Sequence, residues 1–97
     1  MAIKIVCINK ENGRHDDPYE AISFLGWVED GTGSKGKLSR LQLVDWIERG
    51  GEAYVLGGLS QRVKVVVRVS RHGNKYVKTV ANGVETDNLL SLSECPL

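Results

Sequence analysis

The chain has little of what most active sites are made from. Its 97 residues hold two cysteines and two histidines. Cys7, His15, His72 and Cys95 stand far apart, with none of the close spacings that structural zinc sites use. A Cys–His nucleophile pair meets the same objection, and no orienting third residue is identifiable. Two cysteines make no disulfide framework, and in a reducing compartment they read as small buried apolar groups. No run approaches the ~18 apolar residues of a membrane span. The opening MAIKIVCINK lacks the basic segment, apolar stretch and small-residue cleavage site of a secretory signal, which gives the cytoplasm as the expected compartment. There is no internal repeat and no low-complexity segment. Ninety-seven residues make one domain, spanning 1–97, with a single core.

Negative charge is also missing, over one long stretch. From Ala53 to Val84 there is no Asp or Glu, while Arg62, Lys64, Arg68, Arg71, Lys75 and Lys78 all fall within it. The remainder carries seven Lys or Arg against twelve Asp or Glu, so a net charge of +1 hides a strong segregation along the chain.

What is present is a set of short, well-punctuated segments. Residues 2–9 are rich in Ile and Val and read as a strand apolar on both faces, away from a sheet edge. Residues 20–28 suit a second strand, with Gly26 marking a bulge or a close backbone approach. Glu29 to Lys37 holds three glycines in nine residues and reads as a flexible loop. A helix of about ten residues follows. Ser39 and Gln42 have capping-box spacing, and Leu38 and Leu43 stand at hydrophobic-staple positions. Leu43, Val44, Trp46 and Ile47 form its apolar stripe, and Gly50-Gly51 stops it. Residues 52–56 and 61–70 are strands. In the second, Val63, Val65, Val67 and Val69 share one face at period two, with Arg62, Lys64 and Arg68 on the other. Residues 71–74 turn, Lys75 to Val80 returns, and Asn82-Gly83 signals a last hairpin into 84–86. The order β-β-α-β-β-β implies an α+β fold: a mainly antiparallel sheet with one short helix packed on a face.

Three segments invite a functional reading. The hairpin 61–80 puts Arg62, Lys64, Arg68, Lys75 and Lys78 near Tyr76, a surface suited to phosphates and to stacking a base; lysines and arginines that protect edge strands explain the same pattern. The loop GTGSKGK has the phosphate-loop spacing from Gly31 to Gly36 and Lys37. Leu38 then stands where the magnesium-binding hydroxyl belongs, which argues against a nucleotide hydrolase of that type and for a connector whose Ser39 caps the helix. Asp45 and Glu48 lie on one side of the helix, as a solvated surface does. No residue is assigned as catalytic, cofactor-binding or metal-ligating.

The segment KYVKTVANGVETDNLLSLSECPL resembles the ending of a prokaryotic family known as domain of unknown function 3892. Gly73, Lys75, Tyr76, Val77, Lys78 and Thr79 follow that family's first half, and Asn82 and Gly83 its hairpin. Asp87, Asn88, Leu89, Leu90, Leu92, Glu94, Cys95 and Pro96 follow its ending. Pro18, Ile22, Gly26, Trp27 and the stretch WIERG resemble it upstream. The resemblance implies a fold and a bacterial or archaeal source, with no activity to carry across.

The expectation is therefore an uncharacterised small cytoplasmic domain that is a non-catalytic binding module. Its expected surface is the basic hairpin, its partner a protein or a nucleic acid, with no cofactor and no membrane. A small hydrolase or metal-dependent enzyme is the alternative of another class. The state is a monomer or a homodimer paired through a sheet edge. At the end of the chain, Asp87 starts a tight turn, and at least two of Leu89, Leu90 and Leu92 pack onto the sheet with Cys95 nearby.

Overall fold

The computed structural model describes residues 2–10, 22–57, 61–71, 73–81, 83–86, 89 and 92–95. Seven strands and one helix make up these residues: β1 (Ala2–Lys10), β2 (Ile22–Glu29), β3 (Lys35–Ser39), α1 (Arg40–Glu48), β4 (Glu52–Leu56), β5 (Arg62–Val69), β6 (Lys75–Ala81) and β7 (Val84–Thr86). They form one mixed sheet in the order β3-β2-β1-β4-β5-β6-β7. Every neighbouring pair is antiparallel except β1 and β4. The expected sheet with one helix is present. The expected order held five strands and lacked two of the seven: β7, which the hairpin into 84–86 implied but the order left out, and β3, because Lys35–Ser39 lies in the segment read as a flexible loop. Only Glu29 to Ser34 forms the turn, closed by Glu29 N donating to Ser34 O at 2.7 Å and Gly33 N to Glu29 O at 3.1 Å. β3 is exposed over most of its length and borders β2 alone, so neither apolar content nor period two marks it.

The helix begins as its sequence directs. Ser39 accepts from Gln42 N, and the Gln42 side chain accepts from Ser39 N at 2.9 Å. Leu43 and Val44 are buried. Gly50, at φ 95°, takes the left-handed turn that ends it. Gly51 is bare for a second reason: a Cβ there would stand 2.6 Å from Trp46 Nε1. The indole lies over the glycine and donates to Glu52 O at 3.4 Å.

The core fills the helix-covered face. Ile3, Ile5, Ile8, Ile22, Leu25, Leu43, Val44, Val55, Val65, Val77 and Leu89 form one buried cluster. Two irregularities let β1 and β2 feed it. The register skips Val6 in β1 and Ser23 in β2. Each bulge resets the alternation, so Ile5 and Ile8, and likewise Ile22 and Leu25, face the core although they stand three positions apart. This is why β1 reads as apolar on both faces. The core closes with Leu89, fully buried, and with Leu92, which packs against it half-buried. Asn82, Asp87 and Leu90 lie outside the described residues.

One expectation about the core is corrected. Cys7 and Cys95 are not separate apolar groups but a disulfide, with Cα atoms 4.9 Å apart and a sequence separation of 88. Residues 93–95 lie beside β1 at Ile8. Ile8 N donates to Ser93 O and Cys95 N to Ile8 O, each at 3.1 Å. The segment thus continues beside β1 in parallel sense, as β4 does at residues 2–4. Sequence spacing cannot show this juxtaposition, since the fold alone brings the two cysteines together.

Candidate binding face

The register assigns the residues of β4, β5 and β6 to faces. Val63, Val65, Val67, Val77 and Thr79 point toward α1, while Arg62, Lys64, Val66, Arg68, Tyr76, Lys78 and Val80 share the helix-free face. Lys75 pairs with Val69 and belongs to the helix side, where its ammonium meets Glu48 Oε2 at 2.8 Å. The six residues of the basic hairpin are therefore split between faces. Arg62, Lys64, Arg68, Tyr76 and Lys78 lie together, and Lys75 lies behind them.

Carboxylates brought in from elsewhere neutralise much of the hairpin. Glu85 on β7 accepts from Arg68 Nε at 3.0 Å and stands 3.5 Å from Lys78 Nζ. The Arg68 hydrogen bond, with Lys78 adding its charge, holds the Glu85 carboxyl below the usual range. Arg62 reaches Asp30 at 3.5 Å and lies over the Tyr54 ring, 4.3 Å from its centroid. Tyr54 is buried, and its hydroxyl donates to Asp30 Oδ1 at 2.7 Å. That hydrogen bond to a carboxylate raises the phenol pKa, and burial raises it further.

The same face holds cations the hairpin argument missed. Following the register sideways gives one row across the sheet. Lys35 on β3 faces Val28 on β2, which faces Lys4 on β1, then Tyr54 on β4, Lys64 on β5, Val80 on β6 and Glu85 on β7. Cations thus alternate with apolar or aromatic groups over five strands. At about 4.8 Å per strand, successive lysines stand about 10 Å apart. Lys37 follows two residues after Lys35 on the same face. Lys4, Lys35, Lys37 and Lys64 have no hydrogen-bond or ion-pair partner among the described residues. Phe24 lies on this face between Asn9 and Ser39 and is 47% exposed. Sequence reading missed Lys4, Lys35 and Lys37 because they are far in sequence from the acid-free stretch. Only strand order joins them to Lys64.

Near one end of the row is a shallow apolar depression of about 300 Å³, lined by Val6, Val28 and Gly26 with the Cys7–Cys95 disulfide, and flanked by Lys35 and Lys37. Gly26 has to be glycine here. A Cβ at that position would collide with Cys7 Sγ and stand 3.0 Å from Cys95 Sγ.

Among the described residues, no three His, Cys, Asp or Glu side chains gather where they could hold a metal ion, and no helix is long and apolar enough to cross a membrane. His15 and His72 lie outside the described residues. Gly36 and Lys37, which carried the phosphate-loop spacing, sit within β3, paired to Trp27 and Gly26.

With the fold in hand, comparison gives one match. The sequence profile of the family "Protein of unknown function (DUF3892)" covers residues 4–93. The chain belongs to that family. No curated protein and no solved structure matches it. The DUF3892 match begins within β1, at Lys4, takes in the other six strands and the helix, and ends at Ser93, two residues before Cys95.

Proposed function

We propose that this DUF3892 chain is a non-catalytic binding module that works through the helix-free face of its sheet, and that its partner is a single-stranded nucleic acid. The observation that carries the reading is the Lys35–Val28–Lys4–Tyr54–Lys64 row. Four lysines with no partner among the described residues, counting Lys37, present positive charge on one side of the sheet. Phosphates on a flexible strand can meet such charges and release their counterions. Phe24 offers an exposed ring on the same face for a base to stack on. A protein partner would more usually meet an apolar centre with a charged rim, and here the charges run through the middle.

Fluorescence anisotropy with labelled single-stranded DNA and RNA, from 20 to 300 mM salt, tests the proposal. Binding is expected at low salt, with log K falling by about 0.7 per phosphate contact for each unit of log salt. Lys4→Gln with Lys64→Gln is expected to weaken binding and flatten that slope. Lys75→Gln, on the other face, is expected to leave both unchanged. No binding to any strand at 20 mM salt would refute the proposal, as would equal losses in the two variants.

A further inference from the structure

We propose that the Cys7–Cys95 disulfide is a thiol-exchange site for small anionic thiols, and that exchange there releases residues 93–95 from the sheet. Three observations converge on it. The sulfurs line an open depression rather than being sealed in the core, and Cys7 is the more exposed of the two, Cys95 being 4% exposed. Lys35 and Lys37 line that depression, exposed and with no partner among the described residues, so they favour an approaching thiolate and any carboxylates it carries. Among the described residues, few groups hold the 93–95 segment beside β1: Ser93 O and Cys95 N on Ile8, Asn9 Nδ2 donating to Cys95 O at 3.3 Å, and the disulfide itself.

The chemistry balances with a thiol as the only co-reactant. A thiolate attacks Cys7 Sγ and forms a new S–S bond to it. The Cys7–Cys95 bond breaks, and its electron pair leaves on Cys95 Sγ, which takes a proton from water. A second thiol attacks the mixed disulfide and releases Cys7 as a thiol. The net change is two thiols oxidised to one small disulfide and one protein disulfide reduced to two thiols. Cys95 is the better leaving sulfur in structural terms, because the segment carrying it can move into water, whereas Cys7 is fixed in β1 between β2 and the 93–95 segment. Once Cys95 departs, Ile8 loses both hydrogen bonds to that segment, and β1 presents an unpaired N–H and C=O beyond the end of β4.

The test uses the oxidised full chain and three thiols of different charge: a tripeptide thiol bearing a net negative charge, neutral 2-mercaptoethanol, and cationic cysteamine. Rates are read by acid quench and intact mass, normalised to thiolate concentration. The anionic thiol is expected to react roughly tenfold faster than cysteamine at low salt, with the difference collapsing at 1 M salt, where the screening length falls to about 3 Å. Lys35→Gln with Lys37→Gln is expected to flatten the order. Peptide mapping is expected to find the adduct on Cys7, and hydrogen exchange to find the amides of Ile8 and Cys95 faster after reaction. Equal or reversed rates across the three thiols, an adduct on Cys95, or unchanged exchange at Ile8 would each overturn the proposal. None of these outcomes depends on nucleic-acid binding, so this site and the lysine row stand or fall separately.

Discussion

Opening the Cys7–Cys95 bond is the perturbation with the largest calculable effect. The bond closes a loop across 88 residues of a 97-residue chain. For a loop of that length, the chain-entropy account gives about 4–5 kcal/mol of stabilisation, acting by restricting the unfolded chain. A domain of this size has a total stability of about 5–15 kcal/mol, so the bond supplies a large share. A change of 1 kcal/mol moves the melting temperature of a domain near 100 residues by about 4–8 °C. Reduction should therefore lower the melting temperature by about 20 °C. Reduced wild type is the right comparison, because both sulfurs remain to pack. Cys7→Ser with Cys95→Ser should melt a few degrees lower again, since a hydroxyl then replaces the buried Cys95 sulfur. Either serine alone should cost nearly as much as both, as each opens the same bond. The assay is thermal unfolding by circular dichroism with and without a phosphine reductant, with thiols counted in parallel. Two titrated thiols and a melting temperature within about 3 °C of the oxidised protein would refute the reasoning.

Other outcomes follow from single side chains. Leu89→Ala should lower stability by about 2–5 kcal/mol in denaturant unfolding, because the residue is fully buried in the core cluster. Gly26→Ala should cost about 1–3 kcal/mol and make the disulfide easier to reduce, since the added Cβ meets both sulfurs; reductant titration of the variant checks it. Tyr54 should titrate above the ordinary tyrosine range. Its folded pKa is raised, so its contribution to stability is complete below the unfolded value of about 10 and is lost as pH rises through the folded value. Phenolate absorbance should show this late component, and Tyr54→Phe should remove it.

Local chemistry was legible in the sequence, and long-range placement was not. The capping box at Ser39 and Gln42, the stop at Gly50, the valine alternation of β5 and the burial of Leu89 each follow from residues near one another in the chain. β3 was missed because a short edge strand rich in lysine and glycine has no apolar period to show. The alternation of β1 was blurred because the bulge at Val6 puts Ile5 and Ile8 on one face. The disulfide and the lysine row depend on which strands become neighbours, which no local pattern encodes. Lys75 shows the same limit in reverse. It stands one residue from Tyr76 in sequence, yet it faces the helix and a different carboxylate.

The link between Cys7 and Cys95 also makes almost the whole chain a ring. A single peptide cut anywhere between those positions leaves one covalent molecule, and the two pieces part only when the sulfur bond is opened. A nicked sample should run as intact protein on a non-reducing gel and as two fragments on a reducing one. A protease visit to any surface loop thus need not end the life of the folded sheet, which can keep both pieces in place while the cross-link holds.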